Sequence, residues 1–198
     1  MDIIAATQNA HKIKEIDAIV SKFQMSVVSR KDAGVPDFDI PETGDTFEEN
    51  SYIKAKAILD YTDKPVIADD SGLEVDYLEG APGVFSARYA GVDGDDADRE
   101  NNKRLLKGLK GVPPEKRTAR FVCVITLLFP DGRSFYARGE CEGHIAEELM
   151  GDNGFGYDPL FIPKGYGQSF AQITPDDKNK ISHRAKALKK LSELLRED

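Results

Sequence analysis

The chain has 198 residues, 40% of them hydrophobic and 31% charged, with a formal net charge of −8. That composition suits a soluble globular protein with a substantial core and argues against disorder. The acidic balance disfavours a protein that wraps a nucleic-acid polymer, which needs a broad basic face, but leaves room for one small phosphorylated ligand in a local positive pocket.

In chain order, Asp2 to Ala6 read as a short buried strand, followed by the polar turn TQNAHK. Ile13, Ile16, Ile19, Val20 and Phe23 recur at helical spacing and predict a helix from about Ala10 to Lys22. Val27 and Val28 suggest a second strand, and this strand–turn–helix–strand unit points to the α/β class. Lys31 to Asp45 read as a long loop. Thr46, with Glu49 three residues on, is a capping-box signature for a helix to about Tyr61. Val66 to Ala68 make the next strand, Asp95 to Lys107 a helix, and Phe121 to Phe129 with Arg133 to Cys141 a long hairpin around Asp131-Gly132. Ser182 is placed to cap a final amphipathic helix with Ala185, Leu188, Leu191, Leu194 and Leu195 on its apolar side.

The N-terminal MDIIAAT lacks a basic n-region and no apolar stretch is long enough to cross a bilayer, so neither a secretory signal nor a membrane partner is expected. There are two cysteines, Cys123 and Cys141. A two-residue turn at Asp131-Gly132 would set Cys123 opposite Glu140 and send the two thiols to opposite sides of the sheet. A disulfide is disfavoured in that register, and a reduced, cytoplasmic protein is the expectation.

The chemistry begins with two adjacent carboxylates, Asp69 and Asp70, at the end of the Val66 to Ala68 run. Adjacent acids repel, and the end of an α/β strand is where ligands bind. A hard divalent cation such as Mg²⁺ would offset the repulsion; an Asx turn with one capping and one solvated acid is the alternative. Glu42, between Pro41 and Gly44, can reach inward as a further carboxylate. Thr7, Asn9 and Lys12 lie where a strand hands over to a helix, so they can cradle a phosphate or merely cap the helix. Glu49, Asn50 and Lys54 fall on nearly one helix face, where Glu49 can be a cap and Lys54 a solvated charge. GFGYDP offers Phe155 and Tyr157 for stacking on a flat ligand, or for packing a turn. Lys178, His183 and Arg184 can donate to a base carbonyl or a phosphate, or form a solvated basic face. Ser86 and Arg88 sit in a Gly/Pro-rich loop suited to shaping and covering a site. A dehydrogenase is poorly supported, since no G-x-G-x-x-G follows the first strand.

TQNAHK, PETGDTFEEN, ADDSGLEVD, GAPGVFSARYAG, GFGYDPLF and ISHRAKAL, in this order, resemble the blocks of the inosine/xanthosine triphosphate pyrophosphatase family. The resemblance runs from Thr7 to about Leu188. It implies one α/β domain over the whole chain, with a long, twisted mixed sheet, flanking helices and two lobes around a central cleft. It implies Mg²⁺-dependent hydrolysis of non-standard purine nucleoside triphosphates to the monophosphate and diphosphate, in a homodimer. Carried over block by block, Thr7, Gln8, Asn9, Ala10, His11 and Lys12 would hold the triphosphate. Glu42 and Asp70 would bind the metal, with Asp70 also the general base. Lys54 would neutralise phosphate and Ser71 would touch substrate. Phe155, Gly156, Tyr157, Asp158, Lys178, His183 and Arg184 would bind the nucleoside end. Ser51 stands where the family more often shows alanine, which bears on helix packing. The sequence leaves two rivals open. One is a Maf-like hydrolase acting on modified pyrimidine nucleotides. The other is a nucleotide-sensing module that binds without turnover.

Overall fold

The computed structural model describes residues 1–197, leaving aside the side chains of Ala10, His11 and Ile19. The expected substrate contacts of Ala10 and His11 therefore lie outside the described residues. The strands are β1 (Asp2–Ala5), β2 (Ser26–Ser29), β3 (Val66–Val75), β4 (Thr118–Leu128), β5 (Ser134–Ile145) and β6 (Phe161–Pro163). The helices are α1 (Ala10–Val20), α2 (Phe47–Leu59), α3 (Ala97–Gly108), α4 (Pro175–Ile181) and α5 (His183–Glu197). The sheet runs β2-β1-β3-β4-β5-β6. β1 is parallel to β2 and to β3, and β5 is antiparallel to β6. The fold is α/β with a mixed sheet, as expected. Among the described residues no helix is long and apolar enough to cross a membrane.

Packing divides the chain into two compact units, residues 1–70, 123–139 and 184–198, and residues 71–122 and 140–183. In the first unit β1 is apolar at every buried position because both of its faces are covered. Ile3 and Ala5 pack with Ile16 and Val20 of α1 and Ala187, Leu188 and Leu191 of α5. Ile4 and Ala6 pack with Ala55 and Ile58 of α2. The second unit is built on Leu73, Leu105, Leu109 and an aromatic group in which Phe121 lies 4.7 Å from Phe161 and 5.8 Å from Phe170.

The α2 cap forms as its sequence predicts. The Thr46 side chain accepts the Glu49 N–H, and the Glu49 carboxylate accepts the Thr46 N–H, so two donors that the helix leaves orphaned are satisfied. Ser51 is fixed by a polar contact: its hydroxyl meets that of Thr126 on β4 at 2.7 Å in a fully buried position.

Several expectations change. β3 continues to Val75, so Asp69 and Asp70 are the fourth and fifth residues of a ten-residue strand rather than residues at its end. The ligand-facing logic survives in another form. β1 pairs with β3 only as far as Ile67, so both acids lie just beyond the end of the parallel neighbour. The hairpin loop is one residue longer than a two-residue turn. Phe129 N–H donates to the Arg133 carbonyl, Gly132 N–H donates to the Phe129 carbonyl, and Gly132 takes φ +94°. This is a three-residue loop with a left-handed glycine. The extra residue removes the register on which the cysteine argument rested. Both thiols are buried and unbridged, Cys123 packing with Ile125 and Leu127 and Cys141 with Phe121 and Phe161. β6 and α4 escape the sequence reading because each is very short. Leu194 is exposed, so the buried stripe of α5 is Ala187, Leu188 and Leu191.

Candidate active site

Successive side chains of a strand point to opposite faces, so neighbouring acids on β3 meet different partners. Asp69 is wholly buried, and its Oδ2 lies 2.9 Å from Lys12 Nζ and 3.2 Å from Arg184 Nη2. Arg184 also pairs with Glu15 of α1. Asp70 Oδ1 lies 2.6 Å from Lys54 Nζ, which reaches Glu42 Oε1 at 3.0 Å as well. The repulsion between the two acids is therefore offset by three cations of the chain itself, one end of α1, the middle of α2 and the start of α5 each contributing one. Lys54 is far from a solvated charge: its side chain is 14% exposed.

The electrostatics separate the two acids. Burial pushes Asp69 upward, yet Lys12, Arg184 and Lys54 together hold it well below the usual carboxylate range. For Asp70 burial wins: its carboxyl is raised, against the pull of Lys54 and with a push from Glu42. Burial works against the ammonium of Lys54, but Asp70, Asp69 and Glu42 more than offset it, so its pKa is raised. Asp69 is thus a fixed charge and Asp70 a tuned one, the pattern in which the second acid is suited to proton chemistry.

The surrounding loops are held by short polar contacts. Asn9 caps α1, its Oδ1 accepting the Lys12 N–H at 3.2 Å, while Thr7 Oγ1 accepts the Asn9 N–H at 3.1 Å. Gln8 is exposed and donates to Asp37. Thr7 and Gln8 thus stand at a capped helix N-terminus, where anions are favoured. The loop carrying Glu42 is fixed through Gly44, whose N–H donates to Asn50 Oδ1 at 2.8 Å. A Cβ on Gly44 would come within 2.6 Å of Glu49 Cβ, so the position needs glycine.

The second unit carries a separate group. Lys178 Nζ pairs with the buried Asp158 and lies 4.9 Å from the Phe155 ring centroid and 5.3 Å from that of Phe170. His183 is buried and stacked on Phe121 at 4.8 Å. Tyr157 is a packing residue with a polar anchor: its buried hydroxyl donates to the Ser86 carbonyl, and burial raises its pKa. Phe155 is exposed, at 38%. Ser71 follows Asp70 on β3 and is half-buried. Arg184, expected at the nucleoside end, pairs with Asp69 and Glu15 of the first unit.

The model of the Ham1 family matches residues 3–194. The chain belongs to the Ham1 family. Among the relatives of this Ham1-family chain, a protein of Listeria monocytogenes named dITP/XTP pyrophosphatase is 52% identical, over 96% of this chain and 92% of its own. One of Clostridium perfringens with the same name is 49% identical, over 98% and 96%. A solved Ham1 protein of Coxiella burnetii superposes with a TM-score of 0.89 at 39% identity over the full length of both chains. That of Staphylococcus aureus gives 0.88 at 40% identity, over 99% of this chain and 98% of the other.

Sequence reasoning missed the partners that hold these groups. Glu15 lies three residues beyond Lys12 on α1, a spacing at which side chains are neighbours. Asn101 and Asn102 are buried mid-helix on α3, where asparagine is a poor helix former. They share the face of Asp98 and Leu105, and that pattern was the readable signal.

Proposed function

We propose that the protein hydrolyses dITP, XTP and ITP to the nucleoside monophosphate and diphosphate with the help of Mg²⁺, and so removes non-standard purine nucleotides. Membership of a family whose close relatives are named dITP/XTP pyrophosphatases supports the activity and the substrate class. The observation that carries the site is the Glu42–Lys54–Asp70 group, in which Asp70 Oδ2 is buried and has no hydrogen-bond partner among the described residues.

An orphaned carboxylate oxygen beside a second carboxylate fits a hard cation. No group of three or more His, Cys, Asp or Glu side chains able to hold a metal occurs among the described residues. Two carboxylates suffice for Mg²⁺, which keeps several waters and takes phosphate oxygens from its substrate. Glu42 and Asp70 would hold it, and when bound it would supply positive charge to the phosphate oxygens.

The chain's own residues do the rest. Asp70, raised by burial, orients a water and accepts its proton as the water attacks the α-phosphorus. Lys54 shifts its donors from the carboxylates to phosphate oxygens, and Lys12 with the α1 N-terminus faces the triphosphate. Asp69, ionised and buried, holds Lys12 in place. Phe155 stacks on the base, and Lys178, His183 and backbone amides donate toward the oxygen at position six of the purine. Adenine bears an amino donor at that position, and a buried donor left facing another donor costs about 1–3 kcal/mol. Assembly as a homodimer, which rests on the family resemblance, and a cytoplasmic location, which rests on the two unbridged cysteines, complete the proposal.

A panel of dITP, XTP, ITP, GTP, ATP and dUTP, assayed for monophosphate and diphosphate with and without Mg²⁺, tests the reading. The expected result is diphosphate release from the first three, lost without metal. Equal rates on all six would contradict the donor-lined base site, and preference for the pyrimidine would favour a Maf-like activity.

A further inference from the structure

The loop that carries Phe155 is held by helix α3 through its backbone. Asp98 Oδ2 accepts the Gly156 N–H at 2.7 Å, and Asn102 Nδ2 donates to the Gly156 carbonyl at 2.8 Å. Residues four apart on a helix lie on one face, so the pair grips both polar atoms of a single residue. Asn102 is 5% exposed, and the same Nδ2 donates to the Asp98 carbonyl at 2.8 Å, which fixes the amide's orientation. Gly156 sits at φ +61°, a conformation that side chains resist.

The anchoring continues on either side of Gly156. Phe155 N–H donates to Asp158 Oδ2 at 3.0 Å, and the Tyr157 hydroxyl donates to the Ser86 carbonyl at 2.7 Å. Asn101, next on α3, holds the Ser86 loop in turn, donating to the Ala87 carbonyl at 3.0 Å and accepting the Ala90 N–H at 2.7 Å. Three consecutive residues are therefore tied down, while the Phe155 ring they present remains exposed. A large aromatic kept open on an over-anchored loop is what a pre-formed stacking platform requires, because the ordering cost is met before the ligand arrives.

We propose that Asp98 and Asn102 are positioning residues for base recognition, setting the affinity for the nucleoside end by holding Gly156 and thereby Phe155. The inference rests on the reading of Phe155 as the base-stacking residue. Apparent affinity scales with the fraction of molecules in the competent loop conformation, so a clamp loss that leaves a tenth of them competent raises KM about tenfold.

Steady-state kinetics on dITP test this, together with inhibition by inorganic triphosphate, which has no base. Asp98→Ala and Asn102→Ala are expected to raise KM about tenfold. Their kcat and their inhibition constant for triphosphate should stay within about twofold, since neither residue acts on the phosphates. Asp98→Asn keeps an acceptor oxygen for the Gly156 N–H and should return KM to near the parent value. Asp98 is exposed, so its variants carry the test even if Asn102→Ala fails to fold. Unchanged KM in both alanine variants, or a parallel loss of triphosphate binding, would overturn the proposal. Phe155→Leu separates the two levels. If it leaves KM unchanged, the reading of the loop falls and this inference with it. If it raises KM while the clamp variants do not, this inference falls alone.

Discussion

Replacing Asp69 by Asn preserves shape and removes a charge that three cations compensate. The side chain is fully buried, 2.9 Å from Lys12 and 3.2 Å from Arg184, and Arg184 is itself only 4% exposed. Removing one partner of a buried ion pair costs about 3–5 kcal/mol, mostly because the other charge is left uncompensated. Two features place this case at the low end. Arg184 keeps Glu15, and Lys12, at 19% exposure, can turn toward water. The expected loss is about 3 kcal/mol, which for a chain of this size lowers Tm by roughly 6–12 °C. The pH dependence has a definite sign. The folded-state pKa of Asp69 is depressed below its ordinary value of 3.8, burial being outweighed by Lys12, Arg184 and Lys54. Its contribution is therefore complete above 3.8 and lost as pH falls through the depressed value. Thermal melts of parent and Asp69→Asn across neutral and acid pH should show a gap that is full at pH 7 and narrows in strong acid. A Tm within 2 °C of the parent at pH 7, or a gap that widens in acid, would refute the reasoning.

Asp70→Asn should behave oppositely. Turnover of dITP should fall by about 10²–10⁴, the usual contribution of a general base. Its folded pKa is raised, so the stability it contributes below 3.8 is lost as pH rises through the raised value, and the ionised carboxylate is a net cost at neutral pH. Tm should hold or rise, and a fall of several degrees would contradict the assignment. Lys54→Met removes the group that lowers Asp70 most, so the acid limb of kcat/KM should move to higher pH; an unmoved limb would mean that Asp70 is not the titrating base. Ser51→Ala leaves the Thr126 hydroxyl buried without its 2.7 Å partner and should cost about 1–3 kcal/mol in urea unfolding, with Ser51→Ala/Thr126→Val recovering most of it. Failure of the double variant to recover would show that the pair does not act as a unit.

Elements set by local rules were legible in the sequence. The Thr46–Glu49 cap, the helical stripe of α1 and the α/β order follow from spacing alone. What depends on distant pairing was not. Nothing local says that β3 runs on through Asp69 and Asp70, because acids are poor strand residues and only the charges of α1, α2 and α5 make them tolerable there. The hairpin register hinged on one residue of loop length, since Asp131-Gly132 is compatible with loops of two or three residues. Asp70, Glu42 and Lys54 were named from sequence and do come together. Three cations drawn from separate helices, Lys12, Lys54 and Arg184, also stand beside the acids, and no local pattern in the sequence announces that they converge there. Nothing local in the sequence says that Arg184 pairs with Asp69, because that contact joins the start of α5 to a strand 115 residues earlier.

The proposed reaction is attack of water on the α-phosphorus of a non-standard purine triphosphate. Hydrolysis of dITP in ¹⁸O-enriched water, with the products resolved by mass spectrometry, reports directly on the bond that breaks. One labelled oxygen in the deoxyinosine monophosphate, with unlabelled diphosphate, is the predicted result. Label in the diphosphate, or release of orthophosphate in its place, would contradict the account.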